Sequence, residues 1–278
     1  MKVNLSFSPC PNDTFIFDAM LHHKIDTEGL EFAVDMQDVE QLNRKALKGE
    51  ADVIKVSFHA FAFLTDHYEL LHSGSALGKG CGPLLISKKP LIDLSSLANK
   101  KIAIPGNLTT ANFLLNLALP QATNKVEMIF SAIEGAVLTG AVDAGLIIHE
   151  NRFTYMEKGL LKIIDLGEYW ENLTGAPIPL GGIAVKRALP SAIKHKINRI
   201  LENSVAFAFN NPLSGIDFIR SHSQEMDEKV LFEHINLYVN NYSLNLGKEG
   251  KRAIEILFNK AVEKKLIPAF SNNLFLEL

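Results

Sequence analysis

Short apolar segments alternate with amphipathic ones along this sequence, and the alternation runs through twice. Val3-Asn4-Leu5-Ser6-Phe7 alternates apolar and polar residues, Pro9, Pro11 and Asn12 mark a turn, and Asp13 is placed to cap a helix reaching about His23. Residues 30–36 read as a second strand, 39–48 as a helix, and 51–58 as a third strand with few polar breaks. Apolar strands separated by helices pair in parallel and are covered on both faces.

The pattern then restarts. A glycine-rich stretch, 74–82, leads to a strand over 83–87 and the polar connector Lys88-Lys89-Pro90. A strand over 101–104 with the turn Pro105-Gly106, a helix over 109–119, a strand over 126–130, a helix over 131–139 and a strand over 144–148 follow. Two such runs predict an α/β fold with two lobes. The Pro- and Gly-dense segment 175–182 reads as a return crossing, with a short strand over 183–185 behind it. From Ser191 onward the pattern is helical, with apolar stripes at Ile193, Ile197, Ile200 and Leu201 and at Ala253, Ile254, Leu257 and Phe258. Lobe one is then discontinuous, 1–88 and 183–278, and lobe two is 89–182. This is the layout of a type II periplasmic-binding-protein-like fold, whose ligand cleft between the lobes collects the C-terminal ends of strands.

Charge narrows the partner. Twenty-eight Lys and Arg against 31 Asp and Glu give a net charge of -3, and no basic block is available to neutralise a phosphate backbone, which argues against nucleic acid. Met1 to Ser6 run straight into a strand without the roughly 7 to 15 apolar residues of a signal peptide. No apolar run reaches the roughly 20 residues that cross a bilayer. A cytoplasmic protein with a small-molecule partner and no membrane partner is expected. Two cysteines, Cys10 and Cys81, are too few for a disulfide framework or a four-cysteine metal site. Oligomeric state leaves no mark in the sequence.

Several signatures fail on inspection. Gly74 to Lys79 resembles a phosphate loop, but the glycines are one residue too close and Gly80 follows Lys79 where Ser or Thr is needed. His149-Glu150 opens like a zinc-protease helix, yet Phe153 stands where the second ligand belongs. Neither a metal nor a nucleotide cofactor is expected.

Four places carry chemistry. In Ser8-Pro9-Cys10-Pro11-Asn12-Asp13-Thr14 two prolines stiffen the turn, and Ser8, Asn12 and Asp13 set polar side chains where a helix begins with free N–H groups. On chemistry alone a rigid turn with a capped helix is the favoured reading of it. No neighbouring His or Lys would activate Cys10, which reads as a structural or pocket-lining thiol. Thr109 and Thr110 offer two hydroxyls and the positive end of a helix dipole to an anion, or form an ordinary N-cap. Lys55-Val56-Ser57 ends a strand, and a lysine in an apolar strand needs a partner, which a substrate could supply. His149 lies just beyond an apolar strand and is the side chain best matched to proton transfer near neutral pH. His22, His23, His195, His222 and His234 fall on helical or charged stretches and are expected to be solvated.

Taken together, Ser8 to Phe15, Asp52-Val53-Ile54-Lys55-Val56-Ser57, Thr109-Thr110 and Gly145-Leu146-Ile147-Ile148-His149-Glu150 resemble the 1,4-dihydroxy-6-naphthoate synthase family of menaquinone biosynthesis. The resemblance covers essentially the whole chain. It implies a lyase that converts cyclic dehypoxanthinyl futalosine to 1,4-dihydroxy-6-naphthoate on the futalosine route, without a redox cofactor. It also implies that His149 accepts the proton and that Lys55 to Ser57 and Thr109 to Thr110 bind the anionic substrate. A small-anion solute-binding protein and chorismate dehydratase are the alternatives on the same fold. The parts played by Glu150 and Arg152 stay open.

Overall fold

The computed structural model describes residues 1–90, 94–223, 227–270 and 273–277. The chain opens with β1 (Lys2–Phe7), α1 (Pro11–Leu21), β2 (Glu31–Met36), α2 (Val39–Leu47), β3 (Val53–Ser57), α3 (Phe58–Phe61), β4 (Tyr68–Leu70) and β5 (Ala76–Gly78). It continues with β6 (Leu84–Ser87), a 3-10 turn (Leu94–Asn99), β7 (Ile102–Ile104), α4 (Thr110–Ala118), β8 (Lys125–Glu127), α5 (Phe130–Thr139), β9 (Ala144–Ile147), α6 (Asn151–Thr154), β10 (Leu161–Asp165) and α7 (Leu166–Thr174). It closes with β11 (Ile178–Lys186), α8 (Ser191–Asn210), α9 (Ile216–His222), α10 (Glu228–Tyr238), α11 (Asn241–Leu244) and α12 (Gly247–Glu263).

These elements form two units, Met1–Gly78 with Pro179–Leu278, and Lys79–Ile178. The first holds a sheet in the order β2-β1-β3-β11-β4, with β5 on β11. β1 pairs parallel with β2 and β3, as the apolar strands predict, whereas β11 runs antiparallel to β3 and β4. The second unit's sheet runs β10-β6-β9-β7-β8, parallel at β7 and antiparallel at β6 and β10. Both sheets are therefore mixed. The all-parallel expectation fails where strands are supplied by connections other than a crossover helix.

The structure departs from the sequence pattern at three places. β6, assigned to lobe one by a boundary at 88, pairs with β9 and β10 and belongs to the second unit. The return crossing over 175–182 is largely strand: β11 is nine residues long and includes Pro179, Gly181 and Gly182. Its glycines mark close approach, not a loop, since a Cβ at Gly181 would stand 2.7 Å from the Val56 carbonyl oxygen. The segment before it holds β10 and α7, which the periodicity did not reveal. α7 carries ordinary punctuation, with Asp165 accepting from the Gly167 and Glu168 N–H groups at its start and left-handed Gly175 at its end.

α1 explains the first unit's core. Ten of its residues, Pro11 to Met20, are buried, because α8, α9 and α10 all pack on it. A helix covered on every side has no amphipathic stripe. Asp18 is tolerated there through Lys24 Nζ at 2.6 Å and His22 Nδ1 at 2.9 Å. In the second unit α5 packs on β9 and β7, and Ile133 and Val137 face Ala103, Leu84 and Ile86 in one apolar cluster.

Candidate active site

In the first unit the turn after β1 does more than bend the chain. α1 starts at Pro11, one residue after its N-cap Cys10, whose carbonyl accepts from the N–H groups of Asp13 and Thr14 at 3.0 Å each. Pro11 suits the first helical position, where no N–H is needed. Asp13 is not the cap that its spacing predicted. Its side chain, 1% exposed, turns back and accepts four hydrogen bonds. Oδ2 takes the Ser8 N–H at 3.2 Å and the Ser8 hydroxyl at 2.7 Å, and Oδ1 takes Asn12 Nδ2 at 2.8 Å and Lys55 Nζ at 2.9 Å.

The partner of Lys55 is thus supplied by the protein, where the sequence left room for a substrate to supply it. A buried ammonium is costly unless paired and hydrogen-bonded, and here the carboxylate does both. The Gly74 carbonyl takes a second ammonium proton at 3.3 Å. Among the described residues this leaves Lys55 one donor for an incoming group. Gly181 crosses close by, and its Cβ would meet Lys55 Cε at 3.6 Å. Ser57 ends β3 and is clamped by buried Asn43 of α2, whose Oδ1 accepts the Ser57 N–H at 2.9 Å and whose Nδ2 donates to Oγ at 3.1 Å. The Ser57 hydroxyl therefore accepts from Asn43 and keeps its own proton to donate. Val56 is completely buried, as strand alternation in a sheet covered on both faces requires.

Two residues of this cluster escaped the sequence reading. Asn43 sits in the buried stripe Leu42, Asn43, Ala46 of α2. His234, expected to be solvated, is 0% exposed in the stripe Leu231, His234, Ile235, Tyr238 of α10, and its Nε2 lies 2.9 Å from Asn12 Oδ1. A polar residue at an apolar position of the helical repeat was the available signal in both. The other four histidines are correctly placed toward solvent in degree: His22 and His23 are exposed, and His195 and His222 half-buried.

In the second unit Thr109 is the N-cap of α4. Its Oγ1 accepts from the Asn112 N–H at 3.2 Å and donates to the Gly106 carbonyl at 2.8 Å, so the hydroxyl is engaged in capping. Thr110 is the first helical residue and is buried. The loop before α4 is braced by Asn107, which bonds Glu127 through its side chain and, at 3.3 Å, through its N–H. Asn112 Nδ2 holds the Asn107 carbonyl at 3.0 Å and Asn112 Oδ1 accepts from Lys125 Nζ at 3.1 Å. Burial pulls the Lys125 ammonium below its ordinary range.

His149 follows β9 in a turn, half-buried, with φ of 58°. Of the other three non-glycine residues at positive φ among the described residues, Glu28 lies in the turn before β2, and His23 and Lys265 follow the C-caps of α1 and α12, where a left-handed residue is commonplace. A histidine held in that region beyond a strand costs of order 1 kcal/mol or more and is characteristic of functional positions. Phe130, the first residue of α5, meets the His149 ring edge-on at 4.9 Å between centroids. Gly145 permits this, because a Cβ there would stand 2.5 Å from Ile133 Cγ2 and hold α5 off β9. Arg152 is tied to Asp165 and to the Gly82 carbonyl, at 2.6 Å each, and so anchors the turn to the start of α7. Cys81 is buried and its thiol is pushed up to about 12, the pattern of an inert core cysteine. No group of His, Cys, Asp and Glu that could hold a metal occurs among the described residues, and no helix there is long and apolar enough to cross a membrane.

A family model described as menaquinone biosynthesis matches residues 3–263. The chain belongs to the menaquinone biosynthesis family. This membership bears out the resemblance drawn from the four motifs. A relative from Thermus thermophilus named 1,4-dihydroxy-6-naphthoate synthase is 42% identical over 273 residues, 98% of each chain. A second so named, from Streptomyces coelicolor, is 40% identical over 272 residues, 96% of this chain and 95% of its own. A solved structure from Archaeoglobus fulgidus superposes with a TM-score of 0.90 at 38% identity, covering 96% of this chain and 98% of that one. The menaquinone biosynthesis family member also superposes on an alkanesulfonate-binding protein from Xanthomonas axonopodis, with a TM-score of 0.70 at 15% identity over 96% and 94% of the two chains. The fold is accordingly that of the periplasmic solute-binding proteins.

Proposed function

We propose that this chain is a 1,4-dihydroxy-6-naphthoate synthase. It acts as a carbon–carbon lyase of the futalosine route in the cytoplasm, converting cyclic dehypoxanthinyl futalosine to 1,4-dihydroxy-6-naphthoate with release of the sugar-derived fragment. The observation that carries this reading is 42% identity to a relative of that name over 98% of both chains. His149 is the general base in it. Releasing a carbon fragment and aromatising a ring demands proton removal near neutral pH, and a half-buried imidazole is suited to that. Lys55, Val56, Ser57, Ser8, Asn12 and Asp13 form the substrate-binding group of the first unit, and Thr109 and Thr110 that of the second. The remaining Lys55 and Ser57 donors and the positive end of the α4 helix dipole suit an anionic aromatic carboxylate. No redox cofactor enters the reaction.

Incubating purified protein with cyclic dehypoxanthinyl futalosine and, separately, with chorismate tests the reading. Conversion of the first and not the second is expected. Return of the cyclic compound unchanged identifies a binder, and consumption of chorismate identifies the dehydratase.

A further inference from the structure

We propose that His234 is a positioning residue for substrate binding, setting through Asn12 and Asp13 the direction of the Lys55 ammonium. The inference rests on the proposed function only in taking Lys55 as a group that meets the substrate. Its basis is the direction of the hydrogen bonds. Asp13 offers only acceptors to Asn12, so the Asn12 amide must turn its Nδ2 to Asp13 Oδ1 at 2.8 Å. That places Asn12 Oδ1, also an acceptor, 2.9 Å from His234 Nε2. His234 must therefore carry its proton on Nε2.

The chain of donors runs one way, from His234 to Asn12 to Asp13, and meets the Lys55 donor on the same oxygen, Asp13 Oδ1. Reversing any link sets two acceptors against each other in a buried site. Without the His234 donor the Asn12 amide is free to flip, its oxygen then repels Asp13 Oδ1, and the carboxylate and the ammonium it holds are displaced together. α10 delivers this histidine from 222 residues along the chain by packing on α1. The ring is held in turn by Tyr238, 4.7 Å away between centroids.

The test compares wild type, His234→Leu, which removes the donor at similar volume, and His234→Gln, whose amide nitrogen restores it. KM for the cyclic substrate and Kd for 1,4-dihydroxy-6-naphthoate should each rise about tenfold in His234→Leu, as loss of one buried hydrogen bond implies, with kcat within about threefold. His234→Gln should return both to within about threefold of wild type. Values in His234→Leu within about twofold of wild type overturn the inference, as does a His234→Gln variant equally impaired. Asn12→Leu breaks the same chain from the other side. If His234→Leu does not fold, a similar KM rise in Asn12→Leu upholds the proposal and an unchanged KM overturns it. Long-range proton–nitrogen NMR correlations of the unliganded wild type give a reading that needs no turnover. A proton on Nε2 of His234 is required, and an Nδ1–H tautomer alone overturns the chain. Wild type that neither binds nor converts the cyclic substrate counts against the proposed function, and the tautomer still decides this inference.

Discussion

Lys55 and Asp13 form a buried pair on which stability and, in the proposed function, substrate binding both depend. The pair is buried on both sides, 7% and 1% exposed, so removing one partner leaves an uncompensated charge with little access to water. Lys55→Met should destabilise the first unit by about 3–5 kcal/mol, read from urea unfolding. Its affinity for 1,4-dihydroxy-6-naphthoate should fall as well. A loss below about 1 kcal/mol would mean that the ammonium is effectively solvated. The lysine was visible in the sequence as a charge in an apolar strand, but its partner was not, because 42 residues separate them. Asn43 was missed and His234 misread for a related reason. A helical repeat shows that a position is buried, and only the tertiary contact shows what a polar residue does there.

At the scale of elements, helices sit where glycines let them. A Cβ at Gly82 would lie 2.3 Å from the backbone nitrogen and Cα of Gly167, at the start of α7, and backbone has nowhere to go. A Cβ at Gly145 would crowd the Cγ2 carbons of Ile133 and Val137, at 2.5 and 2.8 Å, which yield by a small shift of α5. Gly82→Ala should therefore cost about 3 kcal/mol and Gly145→Ala about 1 kcal/mol, measured as thermal unfolding. Equal losses would show that α5 is as rigidly seated on β9 as α7 is on β6. Gly145→Ala should also disturb the Phe130 contact with His149 and slow turnover more than it lowers stability. The parallel core of each sheet was legible as apolar runs between helices. β11 was legible only over 183–185, since its Pro179, Gly181 and Gly182 are loop residues by composition and strand residues by the close passage of β3. Strand β10 was hidden for another reason, as an edge strand whose Leu161 and Lys162 are exposed.

For the molecule as a whole, the chain's last segment closes the first unit. Leu276 lies beside β4, its N–H bonded to the Leu70 carbonyl at 2.9 Å, and its own carbonyl is 2.8 Å from His72 Nε2. Burial lowers the His72 pKa below its ordinary value, the Leu276 carbonyl opposing. The unfolded chain then binds a proton that the folded one refuses. Stability is full above the unfolded value of about 6.5 and is lost as pH falls from there toward the folded value. His72→Gln should flatten that loss in a series of melts taken on either side of the window. An unchanged slope would assign the acid sensitivity to another group.

The same scale decides what the molecule is for. A solute-binding fold can capture an anion or transform one, and in the proposed function His149 is the residue that separates the two. At saturating cyclic dehypoxanthinyl futalosine, wild type should release 1,4-dihydroxy-6-naphthoate over many turnovers. His149→Asn should bind the substrate with similar affinity and turn it over about 10²–10⁴-fold more slowly, the range of a lost general base. Near-normal turnover in His149→Asn, or no product from wild type, would contradict the assignment.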